Sequence, residues 1–271
     1  MAATTDGTAQ QTPEGTPCWA DALLPDLEAG KRFYGELFGW TFADGGEPGR
    51  PYAVALGGGA PVAGLAPKRD GRMPTTWGVY LSTPDAAALA ARIRHAGGQI
   101  ITAPVRIGTA GVTALAVDPG GAVFGLWQGE ERPGFGRQGV PGTYCWTEVY
   151  TRPADKDAVD AFYSTVFGYR TRDLDDPAAD FRVWSPPGPG EPTDDTAIGG
   201  RSVIGDAFPA EMPAHFLVYF AVGDCDATAT TAVRLGGRVT EPPFDTPYGR
   251  IAVLADDQGA VFAVLAEPKA A

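Results

Sequence analysis

Apolar positions along this chain follow two periods, and the same alternation is written out twice. Residues 19–24, Trp-Ala-Asp-Ala-Leu-Leu, read as a short strand. Asp26 is placed to cap a helix over 27–38, where Leu27, Tyr34, Leu37 and Phe38 fall at helical spacing and Gly39 supplies the stop. Short strands are predicted around 52–56 and 62–66, and 76–82 alternates aromatic with small residues. A second helix over 85–95 ends at Gly97-Gly98. Strands at 112–117 and 122–127 are joined by the turn Asp118-Pro119-Gly120-Gly121.

The second half repeats the first in order. Phe33-Tyr34 through Phe38-Gly39-Trp40 returns as Phe162-Tyr163 through Phe167-Gly168-Tyr169. Cys18-Trp19-Ala20-Asp21 returns as Cys145-Trp146-Thr147-Glu148, Gly97-Gly98 as Gly236-Gly237, and the Asp118 turn as Asp256 to Gly259. A tandem duplication follows. The expected organisation is a mobile tail over 1–14, one domain over 15–128, a Gly/Pro-rich linker over 129–141 and a second domain over 142–268. Ser185 to Asp195, reading SPPGPGEPTDD, is an insertion in the second copy and must be a loop. The element order predicts an α+β fold. Each half holds two βαβββ modules, so four modules form two cupped, mixed or antiparallel sheets with helices on the outer face.

Composition narrows the partners. Of 271 residues, 33 are acidic and 21 basic, a net charge of −12 that disfavours nucleic acid and anionic membranes. No apolar run is long enough to span a bilayer, and the N-terminus has neither the basic nor the apolar region of a signal peptide. Three widely spaced cysteines, Cys18, Cys145 and Cys225, suit a reducing cytoplasm rather than a disulfide framework. Only two histidines are present, His95 and His215, which weakens readings built on imidazole.

An opening strand, FYxxxFGW, a later AGG and a DPxG turn before an apolar strand resemble the vicinal oxygen chelate superfamily of glyoxalases, extradiol dioxygenases, fosfomycin resistance enzymes and bleomycin-binding proteins. The tandem, Trp-rich form is similar to glyoxalase-like proteins of actinomycetes, some serving antibiotic biosynthesis or resistance. The resemblance implies paired modules whose concave faces hold a ligand, and in many members a divalent metal. Carried over residue by residue, the metal positions are Trp19, Gly78 and Gly125 in the first copy and Trp146, Leu217 and Ala263 in the second. None of these side chains suits a metal, so no metal or other cofactor is expected. Single-copy relatives pair to complete their cups, so the tandem chain is expected to act as a pseudo-dimer, able to work as a monomer.

Strand alternation indicates what lines the cups instead. Trp19, Asp21 and Leu23 face one cup with Tyr80 and Trp127; Trp146, Glu148 and Tyr150 face the other with His215 and Tyr219. Gly78, Gly125 and Ala263 are expected to leave the floors open. Cys18 and Cys145 fall on the helix side by the same parity. Indole and phenol rings offer stacking for a flat aromatic guest, and each carboxylate a partner for its amine or hydroxyl. The first functional expectation is a protein binding a small hydrophobic, planar metabolite or antibiotic, with no metal. The alternative is a lyase, isomerase or hydroxylase-type enzyme on a carbonyl or aromatic polyketide substrate, with Asp21 or Glu148 in acid–base chemistry. The plainer alternative has Trp19 and Trp146 filling collapsed cups. Tyr150 and His215 favour the second cup as the tighter site.

Overall fold

The computed structural model describes residues 12–47, 49–174, 180–206 and 208–268. The first half runs β1 (Pro17–Leu24), α1 (Leu27–Phe38), β2 (Thr41–Asp44), β3 (Ala53–Gly57), β4 (Ala60–Pro67), β5 (Thr76–Ser82), α2 (Ala86–His95), β6 (Gln99–Ile107), β7 (Gly111–Val117) and β8 (Val123–Gly129). The second runs β9 (Tyr144–Thr151), α3 (Lys156–Phe167), β10 (Arg170–Asp173), β11 (Phe181–Ser185), β12 (Gly199–Val203), β13 (His215–Ala221), α4 (Cys225–Arg234), β14 (Arg238–Thr246), β15 (Gly249–Ala255) and β16 (Val261–Ala266).

Each half forms its own eight-stranded mixed sheet, ordered β2-β3-β4-β1-β5-β8-β7-β6 and β10-β11-β12-β9-β13-β16-β15-β14. Two βαβββ modules meet where β1 runs antiparallel to β5, and β9 to β13. Asp26 caps α1 through the amides of Glu28 and Ala29, and Gly39 ends it at φ +72°. Four strands lie outside the sequence expectations: β2, β6 and their counterparts β10 and β14. β6 and β14 are edge strands with few buried side chains, so no period-2 pattern marks them, and Pro242 and Pro243 interrupt the second. The SPPGPGEPTDD insertion occupies the connection between β11 and β12, where Gly58-Gly59 suffices between β3 and β4. Of the expected N-terminal tail, residues 1–11 lie outside the described residues. Thr12 to Glu14 are tied down: the Thr12 carbonyl accepts from Ser82, and Glu14 pairs with Arg92 at 2.7 Å.

The helix-facing sides of the two sheets share one core. The repeated motifs hold it reciprocally. The Tyr34 hydroxyl of α1 donates to Asp256 Oδ2 in the second half at 2.8 Å, and Tyr163 of α3 donates to Asp118 Oδ2 in the first at 3.1 Å. At the tips of the same helices, Trp40 Nε1 donates to the Gly142 carbonyl at 2.7 Å, and the Tyr169 hydroxyl donates to that of Gly15. The FYxxxFG and DPxG motifs are thus partners across the duplication. A buried charge departs from the parallel. Arg201 of β12 is buried against Asp160 of α3 and Asp180, where β4 carries Leu65.

Candidate functional site

Alternation along β1 sends Ala20, Ala22 and Leu24 into the shared core and Trp19, Asp21 and Leu23 to the opposite face. There they meet Tyr80 of β5 and Trp127 of β8. A cavity of about 340 Å³ opens on this face. Trp19 is only 5% exposed, and Asp21 only 6%, so both belong to the floor.

A hydrogen-bonded chain fixes the floor. Trp19 Nε1 donates to the Tyr52 hydroxyl at 2.7 Å, and Tyr52 donates to Asp21 Oδ2 at 3.2 Å. The Tyr80 hydroxyl lies 3.2 and 3.1 Å from the two carboxylate oxygens. No cation pairs with Asp21 among the described residues. Burial therefore pushes its carboxyl up to about 6, although the Tyr80 and Tyr52 hydroxyls stabilise the anion and hold the rise in check. Burial and the Asp21 charge in turn raise both phenols well above their ordinary range. Trp127 is oriented by its own bond, Nε1 to the Arg132 carbonyl at 2.8 Å.

Tyr52 was not singled out from sequence. The available signal was Gly64, a glycine inside a strand. A Cβ there would meet the Tyr52 hydroxyl at 1.9 Å, so the bare backbone of β4 is what lets the phenol reach Asp21. Gly125 works the same way. A Cβ at Gly125 would meet the Tyr80 ring at 2.0 Å, so this glycine seats a tyrosine and does not leave the floor open as expected. Gly78 does leave space: its nearest neighbour would be Asp21 Oδ1 at 3.7 Å.

The second cup brings together Trp146, Glu148, Tyr150, His215 and Tyr219, with different contents. Trp146 Nε1 donates to Glu148 Oε1 at 3.2 Å, and the Tyr219 and Tyr150 hydroxyls also bond the carboxylate. Burial raises the Glu148 carboxyl, and these three donors oppose the rise. Leu217 and Ala263 fill the floor, both buried against Tyr219. Tyr150 lies flat on His215, centroids 5.1 Å apart and planes 6° from parallel, with Phe208 edge-on at 5.7 Å. The two rings that favoured this cup in sequence are therefore stacked on each other. Burial holds the His215 imidazole below its usual range, partly offset by the Pro213 carbonyl on Nδ1.

The cysteines depart from simple parity. Cys18 and Cys145 are the extra residues of β-bulges opposite Tyr80 and Tyr219, and each packs with the cup-side cluster of its half. Burial raises both thiols to about 12, far from a nucleophile's range.

These donors do not fit a resident divalent ion. Trp19, Gly78, Gly125, Trp146, Leu217 and Ala263 offer no ligating atom, and both Asp21 oxygens already accept from tyrosines. Among the described residues, no group of three or more His, Cys, Asp or Glu is gathered as a metal would need. The described residues also contain no helix long and apolar enough to cross a membrane.

Known proteins share this architecture. Residues 19–126 match the model of the glyoxalase/bleomycin resistance protein/dioxygenase superfamily, and residues 148–265 match a glyoxalase-like domain. The chain is 38% identical over 260 residues to the putative glyoxylase CFP32 of Mycobacterium tuberculosis, covering 93% of this chain and 95% of that one. It is 36% identical over 269 residues to the anthracycline biosynthesis protein DnrV of Streptomyces peucetius, covering 93% of both. Among solved structures, the Mn(II)-bound glyoxalase from Novosphingobium aromaticivorans superposes with a TM-score of 0.63 at 17% identity, over 94% of this chain and 83% of that one. The 2,3-dioxygenase LapB from Pseudomonas sp. KL28 superposes at 0.61 with 15% identity, over 95% of each, and at such identities the likeness concerns the fold alone. With two such domains in tandem and relatives matched along nearly its whole length, the chain belongs to the glyoxalase/bleomycin resistance protein/dioxygenase superfamily.

Proposed function

We propose that this protein binds a small, planar aromatic metabolite or antibiotic in its first cup, without a metal, and sequesters it, delivers it or assists its biosynthesis. The observation that carries the reading is the cavity of about 340 Å³ walled by Trp19, Tyr52, Tyr80 and Trp127 around one buried carboxylate. Its volume suits a fused-ring ligand. Aromatic walls supply stacking at about 0.5–1.5 kcal/mol per pair beyond area burial. Asp21 accepts a hydrogen bond from the guest's hydroxyl or amine. A role in anthracycline biosynthesis for two relatives supports the same class of ligand, since anthracyclines are fused, flat ring systems. Three free thiols and a net charge of −12 accord with a cytoplasmic protein that avoids nucleic acid. The tandem chain supplies both halves of the pseudo-dimer, and a monomer is its working form.

One observation favours a second reading. Asp21, with its carboxyl at about 6 and two phenols on its oxygens, is poised for proton transfer near neutral pH. The alternative is therefore acid–base turnover of an enolisable aromatic or carbonyl substrate. Quenching of tryptophan fluorescence by a panel of fused-ring quinones tests binding, and mass analysis of the recovered compound separates the readings. A compound returned unchanged supports binding, and an altered one supports turnover. No quenching by any member of the panel sinks both.

A further inference from the structure

The mouth of the first cup differs in charge from the rest of the molecule. In a chain with 33 acidic and 21 basic residues, the cavity is rimmed by four cations, Arg50, Lys68, Arg69 and Arg132. Glu47 is the one acidic residue among the rim side chains, while Asp21 lies at the floor. None of the four cations forms a salt bridge among the described residues, whereas most other arginines in the two sheets do. Lys68 is held in place without being neutralised, its Nζ donating to the Met73 carbonyl at 2.8 Å and to Thr75 Oγ1 at 3.1 Å. Arg132 is anchored at its backbone, where its carbonyl holds the Trp127 indole. Arg50 and Arg69 are exposed at the solvent end.

Among the described residues, the second cup lacks the counterparts of two of these cations. The amides of Lys68 and Ile204 bond equivalent carbonyls, those of Leu24 and Thr151, so Ile204 stands where Lys68 does and Gly205 where Arg69 does. Lys68 and Arg69 therefore do not follow from the shared fold. A cluster of unpaired like charges around a cavity repels itself and gains nothing for folding; it lowers the free energy of an anion placed among them.

The two ends of the cavity thus ask for opposite things. The floor presents a hydrogen-bond-accepting carboxylate between aromatic walls, and the rim presents cations, three of them guanidinium forks matched to a carboxylate. We propose that the first cup selects an aromatic acid: a planar ring system with a hydroxyl or amine directed at Asp21 and a carboxylate at the opposite end, held by Arg50, Lys68, Arg69 and Arg132. The inference rests on the reading of the first cup as the aromatic site and adds the charge and the orientation of its guest.

The test compares anthraquinone-2-carboxylate with anthraquinone-2-carboxamide, two probes of nearly equal shape, titrated by fluorescence quenching into the full chain, Trp19→Ala, and the double variant Arg50→Gln/Arg69→Gln. The carboxylate is expected to bind about tenfold tighter than the amide. That ratio is expected to shrink toward one on raising salt from about 0.05 M to about 0.5 M, and in the double variant. Equal affinities for the two probes, both weakened by Trp19→Ala, overturn the acid-selective rim and leave the stacking site standing. Failure of both probes to bind up to about 1 mM, or binding indifferent to Trp19→Ala, overturns the aromatic site and the rim proposal together.

Discussion

The two cups are built on one topology and one set of packing motifs, yet they hold different contents. In the first, Gly78 leaves the floor clear, Gly125 seats the Tyr80 ring, Tyr52 links Trp19 to Asp21, and a cavity remains. In the second, Leu217, Ala263, Leu265 and Phe181 stand at the positions of Gly78, Gly125, Trp127 and Tyr52, and Tyr150 stacks on His215 where Leu23 and Thr76 stand. The helix and turn motifs that join the halves differ much less, because each must fit the other half: Tyr34 to Asp256, Tyr163 to Asp118, and each helix tip to the turn before the other's first strand. Reciprocal packing keeps the joining motifs alike in both halves, while the cups have parted.

The largest expected effects come from exchanging floor residues between cups. Gly78→Leu gives the first cup the floor of the second, and its Cβ meets nothing closer than 3.7 Å. Ligand affinity is expected to fall by at least about 100-fold with the melting temperature nearly unchanged. In the opposite sense, Leu217→Ala is expected to cost about 2–5 kcal/mol in denaturant unfolding. A variant Gly78→Leu that binds as tightly as the parent would place the ligand elsewhere.

Next come the tryptophans. Trp19 is buried and bonded to Tyr52, whereas Trp146 is half-buried. Trp19→Ala is expected to cost about 3–5 kcal/mol of stability and about 2–4 kcal/mol of binding. Trp146→Ala is expected to cost less of the first and none of the second. Chemical denaturation and fluorescence titration of both variants check this, and equal effects on affinity would erase the distinction between cups.

The Asp21 carboxyl gives a pH signature of similar or smaller size. Its folded value, about 6, lies above the ordinary 3.8, so the native state holds the extra proton between these values. Its contribution is therefore fully favourable below about pH 4 and is lost as pH rises through about 6, a change of about 1–3 kcal/mol. Unfolding free energies of the parent and Asp21→Asn, measured from pH 4 to 8, should diverge with that slope as pH rises. Parallel curves would show that Asp21 is not desolvated.

The smallest effects test the reciprocal bonds. Tyr34→Phe leaves Asp256 short of a donor and Trp77 Nε1 short of its acceptor, the latter 2.8 Å from the lost hydroxyl. A loss of about 1–3 kcal/mol is expected in thermal unfolding. Tyr163→Phe should cost about 1 kcal/mol, because Phe216 replaces Trp77 in that half and no indole is orphaned. A reversed order would mean that the two bonds are not equivalent members of one pseudo-symmetric interface.

The sequence by itself determined the duplication, the module order, the superfamily and the face on which Trp19, Asp21 and Leu23 lie. Those depend on local caps, turns and a period-2 alternation that leaves its mark in every central strand, as in Trp19, Asp21 and Leu23. It did not reveal β6 and β14, because edge strands bury too little to leave a pattern. Nor did it reveal the bulges that turn Cys18 and Cys145 to the cup side, since a bulge depends on the partner strand's register. Only the tertiary structure decided that a cavity opens in the first cup. Whether a glycine is a void, as at Gly78, or a seat for a neighbour's ring, as at Gly125, depends on side chains brought in from other strands. It also decided that Tyr52, Lys68 and Arg132 belong with Asp21. They arrive from just before β3, just after β4 and the segment after β8, and only the folding of the sheet brings them to one cavity.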